Sequence, residues 1–189
     1  MNLDHLDWPT SGWGYLPPIT DVFTAFTFVE EIAHPRNILE IGFHAGHSTS
    51  YMLEIFPNSH VTTYGVSTVS LKAASYMKEH YKDRITVHRI ESQTIKLSDY
   101  DGFDFALIDG NHTYDIALQD LELTKGWRVP YVLVDNCERE SVAQACDACY
   151  NGSDYNLLTT FKYFSQWNNK PQWNQLRLYH VQPDSIQST

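Results

Sequence analysis

Residues 37–48 read NILEIGFHAGHS. The first five, Asn37–Ile41, make an apolar run of strand length, and Gly42 and Gly46 permit a tight turn into a segment where Tyr51, Met52 and Ile55 recur at helical spacing. That unit repeats along the chain. His60–Val66, Ile85–Ile90, Phe103–Ile108 and Tyr131–Val134 read as further strands. Helices are predicted over Ser70–Tyr81, through Ile116, Leu118, Leu121 and Leu123, and from Glu138 to Tyr150. Near-continuous apolar strands separated by helices define a parallel sheet covered on both faces.

Outside this core the period changes. Asn156–Trp167 and Trp173–Val181 have strand-like composition and flank Asn168-Asn169-Lys170-Pro171, which predicts an antiparallel hairpin at the sheet edge. Upstream, Thr20 or Asp21 caps a helix carrying Phe23, Phe26, Val29 and Ile32 on one face, and His34-Pro35 ends it. Residues 1–19 are rich in Trp, Gly and Pro, a composition for irregular backbone. The expectation is one domain over residues 1–189, a Rossmann-like doubly wound α/β sheet of five parallel strands plus a C-terminal antiparallel hairpin. Residues 1–35 form a lead-in and helix available as a substrate lid, where Trp8, Trp13 and Tyr15 suit either packing or the face of a ring.

Composition narrows the partners. A formal charge of −10 opposes binding through a phosphate backbone, which requires Lys and Arg to displace counterions, so no nucleic-acid partner is expected. A hydrophobic share of 42% with 14% aromatics is that of a packed globule, and no apolar run has membrane-spanning length. Asp4, Asp7, Pro9, Pro17 and Pro18 do not suit a signal peptide, so the protein is expected in the cytoplasm, away from membranes. Cys137, Cys146 and Cys149 make no disulfide framework and read as buried thiols.

The turn after the first strand is neither a dinucleotide fingerprint, since His44 and His47 stand at glycine positions, nor a phosphate-binding loop, since no Gly-Lys-Ser/Thr follows. Glu40 at the strand end suits hydroxyls and ammonium or sulfonium groups; a glycine turn serving packing alone is the alternative. ILEIGFHAGHS resembles the first motif of class I S-adenosylmethionine-dependent methyltransferases, and the resemblance continues in order through residue 137. ITVHRIES (85–92) is similar to their third-strand segment, and YVLVDNC (131–137) to the fifth. FDFALIDGNHTYDIALQDLEL (103–123) resembles the IDGxH stretch of a small-molecule and sugar O-methyltransferase branch.

The resemblance implies a seven-stranded methyltransferase fold. It also implies a donor site drawn from Glu40, Gly42, His44, Gly46, Ser48, Gly65, Ser67, Glu91, Ser92 and Asp109, with Glu40, Gly42 and Gly46 at the methionine end and Glu91 with Ser92 at the adenine. One departure stands out. The family ends its second strand with an acid for the ribose hydroxyls, where this chain has Gly65, and a charge-assisted hydrogen bond of that kind is worth roughly 1.5–3 kcal/mol. Ser67 is the nearest substitute.

Asp109 and Asp135-Asn136, at the ends of strands four and five, can present two carboxylates and an amide oxygen to one Mg²⁺ or another hard divalent cation. Metal-dependent catechol-type O-methyltransferases, which this chain resembles, carry the same residue types there. Helix capping is the alternative role for such acids. His112, three residues after Asp109, can take a proton near neutral pH and reads as a general base, or else as a loop histidine bonded to backbone. Divalent-metal-assisted O-methylation of a small molecule bearing a sugar or phenolic hydroxyl is thus the leading expectation. A metal-independent N- or carboxyl-methyltransferase and a catalytically silent binding module are the alternatives.

Overall fold

The computed structural model describes residues 20–66, 70–167 and 170–181, in which helices and strands alternate for most of the length. The chain runs α1 (Thr20–Ala33), β1 (Asn37–Ile41), α2 (His47–Ile55), β2 (His60–Tyr64), α3 (Ser70–Tyr81) and β3 (Ile85–His88). It continues with β4 (Phe105–Ile108), α4 (Tyr114–Gly126), β5 (Tyr131–Val134), α5 (Glu140–Tyr150), β6 (Tyr155–Trp167) and β7 (Lys170–Val181). Seven strands form one sheet in the order β3-β2-β1-β4-β5-β7-β6. The first five are mutually parallel, and β7 runs antiparallel to both β5 and β6. This is the parallel sheet with a terminal hairpin that the residue pattern predicts.

Strand periodicity divides the core in two, because successive side chains point to opposite faces. Ile38, Phe105, Leu107 and Leu133 pack with α1, α2 and α3 through Phe26, Met52, Phe56 and Met77. Leu39, Ile41, Ala106, Ile108, Val132 and Val134 pack with α4 and α5 through Leu121, Val142, Ala145 and Cys149. All three cysteines are free and buried. Helix α1 gives Val22, Ala25, Phe26 and Val29 to the first of these cores. The aromatic lead-in, with Trp8, Trp13 and Tyr15, lies outside the described residues.

Several elements are shorter than their apolar runs, and each difference has a physical reason. β2 and β3 stop at Tyr64 and His88, after which Val66 and Ile90 leave the ladder to wall a cleft. β4 starts at Phe105 because the Asp104 carboxylate accepts the backbone N–H groups of Arg36 and Asn37, at 2.8 and 3.2 Å. α5 starts at Glu140 because Glu138 is drawn to the hairpin, where it accepts the N–H of Gln175 at 2.9 Å. On α4 the buried face is Ala117, Asp120, Leu121 and Thr124, with Leu118 and Leu123 only partly covered and Ile116 turned to the cleft. The three-and-four spacing of that face includes a carboxylate, which an apolar count passes over.

The chain steps outward from β1 to β3, then returns to place β4 on the other side of β1. Connections leaving β1 and β4 in opposite directions open a crevice at their carboxyl ends. There the backbone of Gly42 has φ +120°, and a Cβ on it would stand 2.0 Å from the carbonyl oxygen of Asp109. Only glycine fits. Gly42→Ala is expected to destabilise the protein by about 3 kcal/mol or more, since strain and backbone displacement add, as read from urea unfolding; an unchanged midpoint would refute this packing.

Candidate active site

The glycine turn is held from three sides. Gly42 and Phe43 donate their N–H groups to the carbonyl of Tyr64, at 2.9 and 3.1 Å, and Gly46, at φ +78°, caps α2. Glu40 is fully buried on the α2 side of the sheet, where Ser48 Oγ and Thr49 Oγ1 donate one to each carboxylate oxygen. The carboxylate therefore locks β1 to the first turn of α2, where the helix dipole favours an anion. Burial raises its pKa, and the hydroxyls of Ser48, Thr49 and Thr63 pull it back.

The loop Asp109–Thr113 is built with similar economy. Asp109 N–H donates to the Ile41 carbonyl at 2.8 Å, the Asn111 side chain accepts Thr113 N–H at 2.9 Å, and Ser141 Oγ donates to the His112 carbonyl at 2.6 Å. His112 Nε2 stands 3.5 Å from Asp109 Oδ1, with the two side chains 24% and 12% exposed. That nitrogen is buried and makes no hydrogen bond. Burial and Arg139 hold His112 below the usual histidine range, against the opposing pull of Asp135 and Glu138.

Between these loops lies a cleft of about 620 Å³. It gathers Gly42, His44, Gly65, Glu91, Ser92, Asp109 and His112 from among the sequence-derived site residues. Glu40, Gly46 and Ser48 stand behind the glycine turn, outside the lining. Asp135 and Asn136 lie beyond the lining as well, at the end of β5. Ser67 falls outside the described residues. Gly65 has a spatial cause: a Cβ there would meet the Cβ and N of Phe43, each at 3.1 Å, so the turn occupies the room an acid would need.

Other cleft residues escaped the sequence reading. Tyr64, stacked on His88 at 4.7 Å, joins Val66, Ile90 and Ile116 as apolar wall. Arg139, the N-cap of α5, brings a cation beside Asp109 and lowers its pKa. Its only signal was a lone Arg four residues past Asp135 in a chain poor in Lys and Arg.

Asp109 and Asp135 directly follow the paired residues Ile108 and Val134, so the two acids stand side by side. Burial, and then the charge of Glu40, pushes Asp109 up to about 8. Burial and the charge of Asp109 raise Asp135 well above the carboxylate range, although Tyr163 donates its hydroxyl to both Asp135 oxygens at 3.0 and 3.1 Å. Asn136 has φ +57°, a conformation asparagine tolerates. Among the described residues no three His, Cys, Asp or Glu cluster as metal ligands. The two repelling carboxylates and the adjoining amide nevertheless fit a hard divalent cation, because a carboxylate keeps acceptor capacity beyond one hydroxyl.

A methyltransferase-domain family model matches residues 39–137, more than half of the chain. The chain belongs to this family, whose fold is that of the S-adenosylmethionine-dependent methyltransferases. No curated protein matches the sequence. The O-methyltransferase TomG of Streptomyces achromogenes, involved in tomaymycin synthesis and solved with S-adenosylmethionine, aligns with TM-score 0.67 at 18% identity, over 95% of this chain and 86% of that one. An O-methyltransferase of Bacillus cereus, solved with S-adenosylhomocysteine, gives 0.66 at 18%, over 90% and 84%. The S-adenosylhomocysteine-bound methyltransferase PaMTH1 of Podospora anserina gives 0.64 at 12%, over 85% and 78%. At these identities the likeness is one of fold. Among the described residues no helix is long and apolar enough to cross a membrane.

The buried carboxyls make stability depend on pH. An acid whose folded pKa is raised is protonated in the native state where the unfolded chain is ionised, so stability falls as pH rises toward the folded value. His44, His47 and His112, all lowered by burial, act the opposite way, but only below about pH 6.5. From about pH 6.5 to 8 Asp109, pushed up to about 8, keeps its proton in the fold where the unfolded chain has lost it. Urea unfolding without ligand should show falling stability across that range, and Asp109→Asn should flatten the slope; a rising profile would refute the burial of these charges.

Proposed function

We propose that the protein transfers the methyl group of S-adenosylmethionine to a hydroxyl of a small molecule, a sugar or a phenolic ring, with help from a divalent cation. One observation carries the reading: His112, whose Nε2 has no hydrogen bond and stands 3.5 Å from Asp109 Oδ1, lines the same cleft as Gly42, Gly65, Glu91 and Ser92. The cleft volume is of the order that holds a small-molecule cofactor, and two of its walls lack side chains, so a ligand can lie against backbone.

When bound, S-adenosylmethionine supplies an electrophilic methyl carbon on a sulfonium that leaves as a neutral thioether. Glu91 and Ser92 then face the nucleoside, and Val66, Ile90 and Ile116 exclude water from its base. A divalent ion held by Asp109, Asp135 and Asn136 would lower the pKa of an acceptor hydroxyl beside it. His112, neutral near pH 7, takes the proton that the acceptor oxygen loses. Asp109, 3.5 Å away, would stabilise the imidazolium once a bound cation has favoured its ionised form. Arg139 offsets the remaining negative charge around the acids. Most of the rate comes from positioning, because a displacement at carbon requires donor sulfur, methyl and oxygen in line.

The hold of Tyr163 on Asp135 favours a second reading, transfer without a metal, with Arg139 as the resident cation. Labelled S-adenosylmethionine and a panel of sugar and phenolic acceptors test both. Expected are activity lost on chelation and restored by Mg²⁺, and a fall in kcat of about 10²–10⁴ for His112→Ala. Activity that survives both chelation and Asp135→Ala selects the second reading. Nucleoside binding without turnover on any acceptor points to a silent binding module, and absence of binding at every metal concentration overturns the proposal.

A further inference from the structure

Asp120 lies on the inner face of α4 with 1% of its surface exposed, and neither of its carboxylate oxygens has a hydrogen-bond partner. Buried polar groups are nearly always paired, and an unpaired carboxylate costs stability. Its surroundings are specific. On one side is Gly110, where a Cβ would stand 3.1 Å from Asp120 Oδ2 and 3.1 Å from Ile41 Cγ2. On the other is Ser92, whose hydroxyl is near enough for a loose hydrogen bond that partly offsets the rise burial imposes and leaves the acid at about 6, although no bond of ordinary geometry joins them in the ligand-free structure. No charged side chain among the described residues contributes to that rise.

Gly110 and Ser92 both line the cleft, while Asp120 stands behind it. They belong to the loops after β4 and β3, strands separated in the sheet by β1 and β2. These loops meet only by arching over the carboxyl ends of the two intervening strands, and the 3₁₀ turn Ser92–Thr94 reaches α4 in doing so. Asp120 sits where they meet. Glycine at 110 and a short hydroxyl at 92 leave its carboxylate room to act on both.

We infer that Asp120 is a positioning residue for the donor side of the cleft: its carboxylate accepts the Ser92 hydroxyl when the nucleoside is bound and clamps the Ser92–Thr94 turn against the Asp109–Thr113 loop. The inference rests on the reading that an S-adenosyl nucleoside occupies this cleft. A carboxylate kept at a cost to the ligand-free fold recovers that cost only in the bound state. A side chain that merely supported the fold would do the reverse.

The test combines S-adenosylhomocysteine affinity by calorimetry with the thermal midpoint of the ligand-free protein, for Asp120→Asn, Ser92→Ala and the double variant. Ser92→Ala, which removes the donor, is expected to weaken binding about tenfold; Asp120→Asn, whose amide oxygen is a poorer acceptor than a carboxylate, weakens it by less, and the double variant binds no more weakly than Ser92→Ala. The ligand-free midpoint of Asp120→Asn should equal or exceed that of the unaltered protein, because a buried charge has gone. Unchanged affinity in the variants overturns the inference, as does a loss of affinity with a lower midpoint, or a double variant whose loss is the product of the two. If the unaltered protein itself fails to bind S-adenosylhomocysteine, the donor reading falls and the inference with it; binding by the unaltered protein with indifferent variants overturns the inference alone.

Discussion

The passage of Gly42 against the carbonyl of Asp109 is the contact on which the rest of the site depends. It exists because β1 and β4 are neighbours whose following loops diverge, and it requires a backbone without a side chain at that point. Once the two loops touch, the placement of everything else is constrained. The turn after β1 must stay low, so Phe43 bears on Gly65 and removes the room for an acid at the end of β2. Glu40, on the α2 side of the sheet, holds the first turn of α2 through Ser48 and Thr49. Asp109 is carried to the rim of the cleft, within 3.5 Å of His112.

The site is costly to the fold. Glu40, Asp109, Asp120 and Asp135 are all pushed toward the neutral form, first by burial and, for Asp109 and Asp135, next by a neighbouring carboxylate. Each is compensated differently. Glu40 has two hydroxyl donors, Asp135 has Tyr163, Asp109 has Arg139 and His112, and Asp120 has no hydrogen-bond partner. The grading is uneven: Glu40, locked between β1 and α2, is the best satisfied, while Asp109, Asp120 and Asp135 keep acceptor capacity in reserve. The −10 charge of the chain thus includes buried carboxylates that a positively charged ligand, if one binds as proposed, would stabilise.

Much of the fold was legible because apolar strands and helical spacing are local signals. β1, α3 and β5 have the limits their residues predict, and the hairpin follows from its composition. The limits of β2, β3 and α5 were less legible, since they depend on where the cleft opens and on what Glu138 reaches across the sheet. In the site, glycine spacing and the IDGxH segment located the two loops. Burial was not readable: nothing in NILEI says that Glu40 faces α2 and leaves the cleft to its neighbours. Arg139 and Ile90 were hidden for the same reason, as their roles come from tertiary approach. Asp120 was hidden too, because a count of apolar residues on α4 passes over a buried carboxylate.

On the proposed function, one cleft between the loops after β1 and β4 holds the donor, with the acids at the ends of β4 and β5 on the acceptor side. A crystal structure with S-adenosylhomocysteine and Mg²⁺ tests it most directly. The account predicts the nucleoside along Gly65, Glu91 and Ser92, the amino-acid end over Gly42, and ion density beside Asp109, Asp135 and Asn136. A ligand seated elsewhere, with this cleft filled only by solvent, would contradict it.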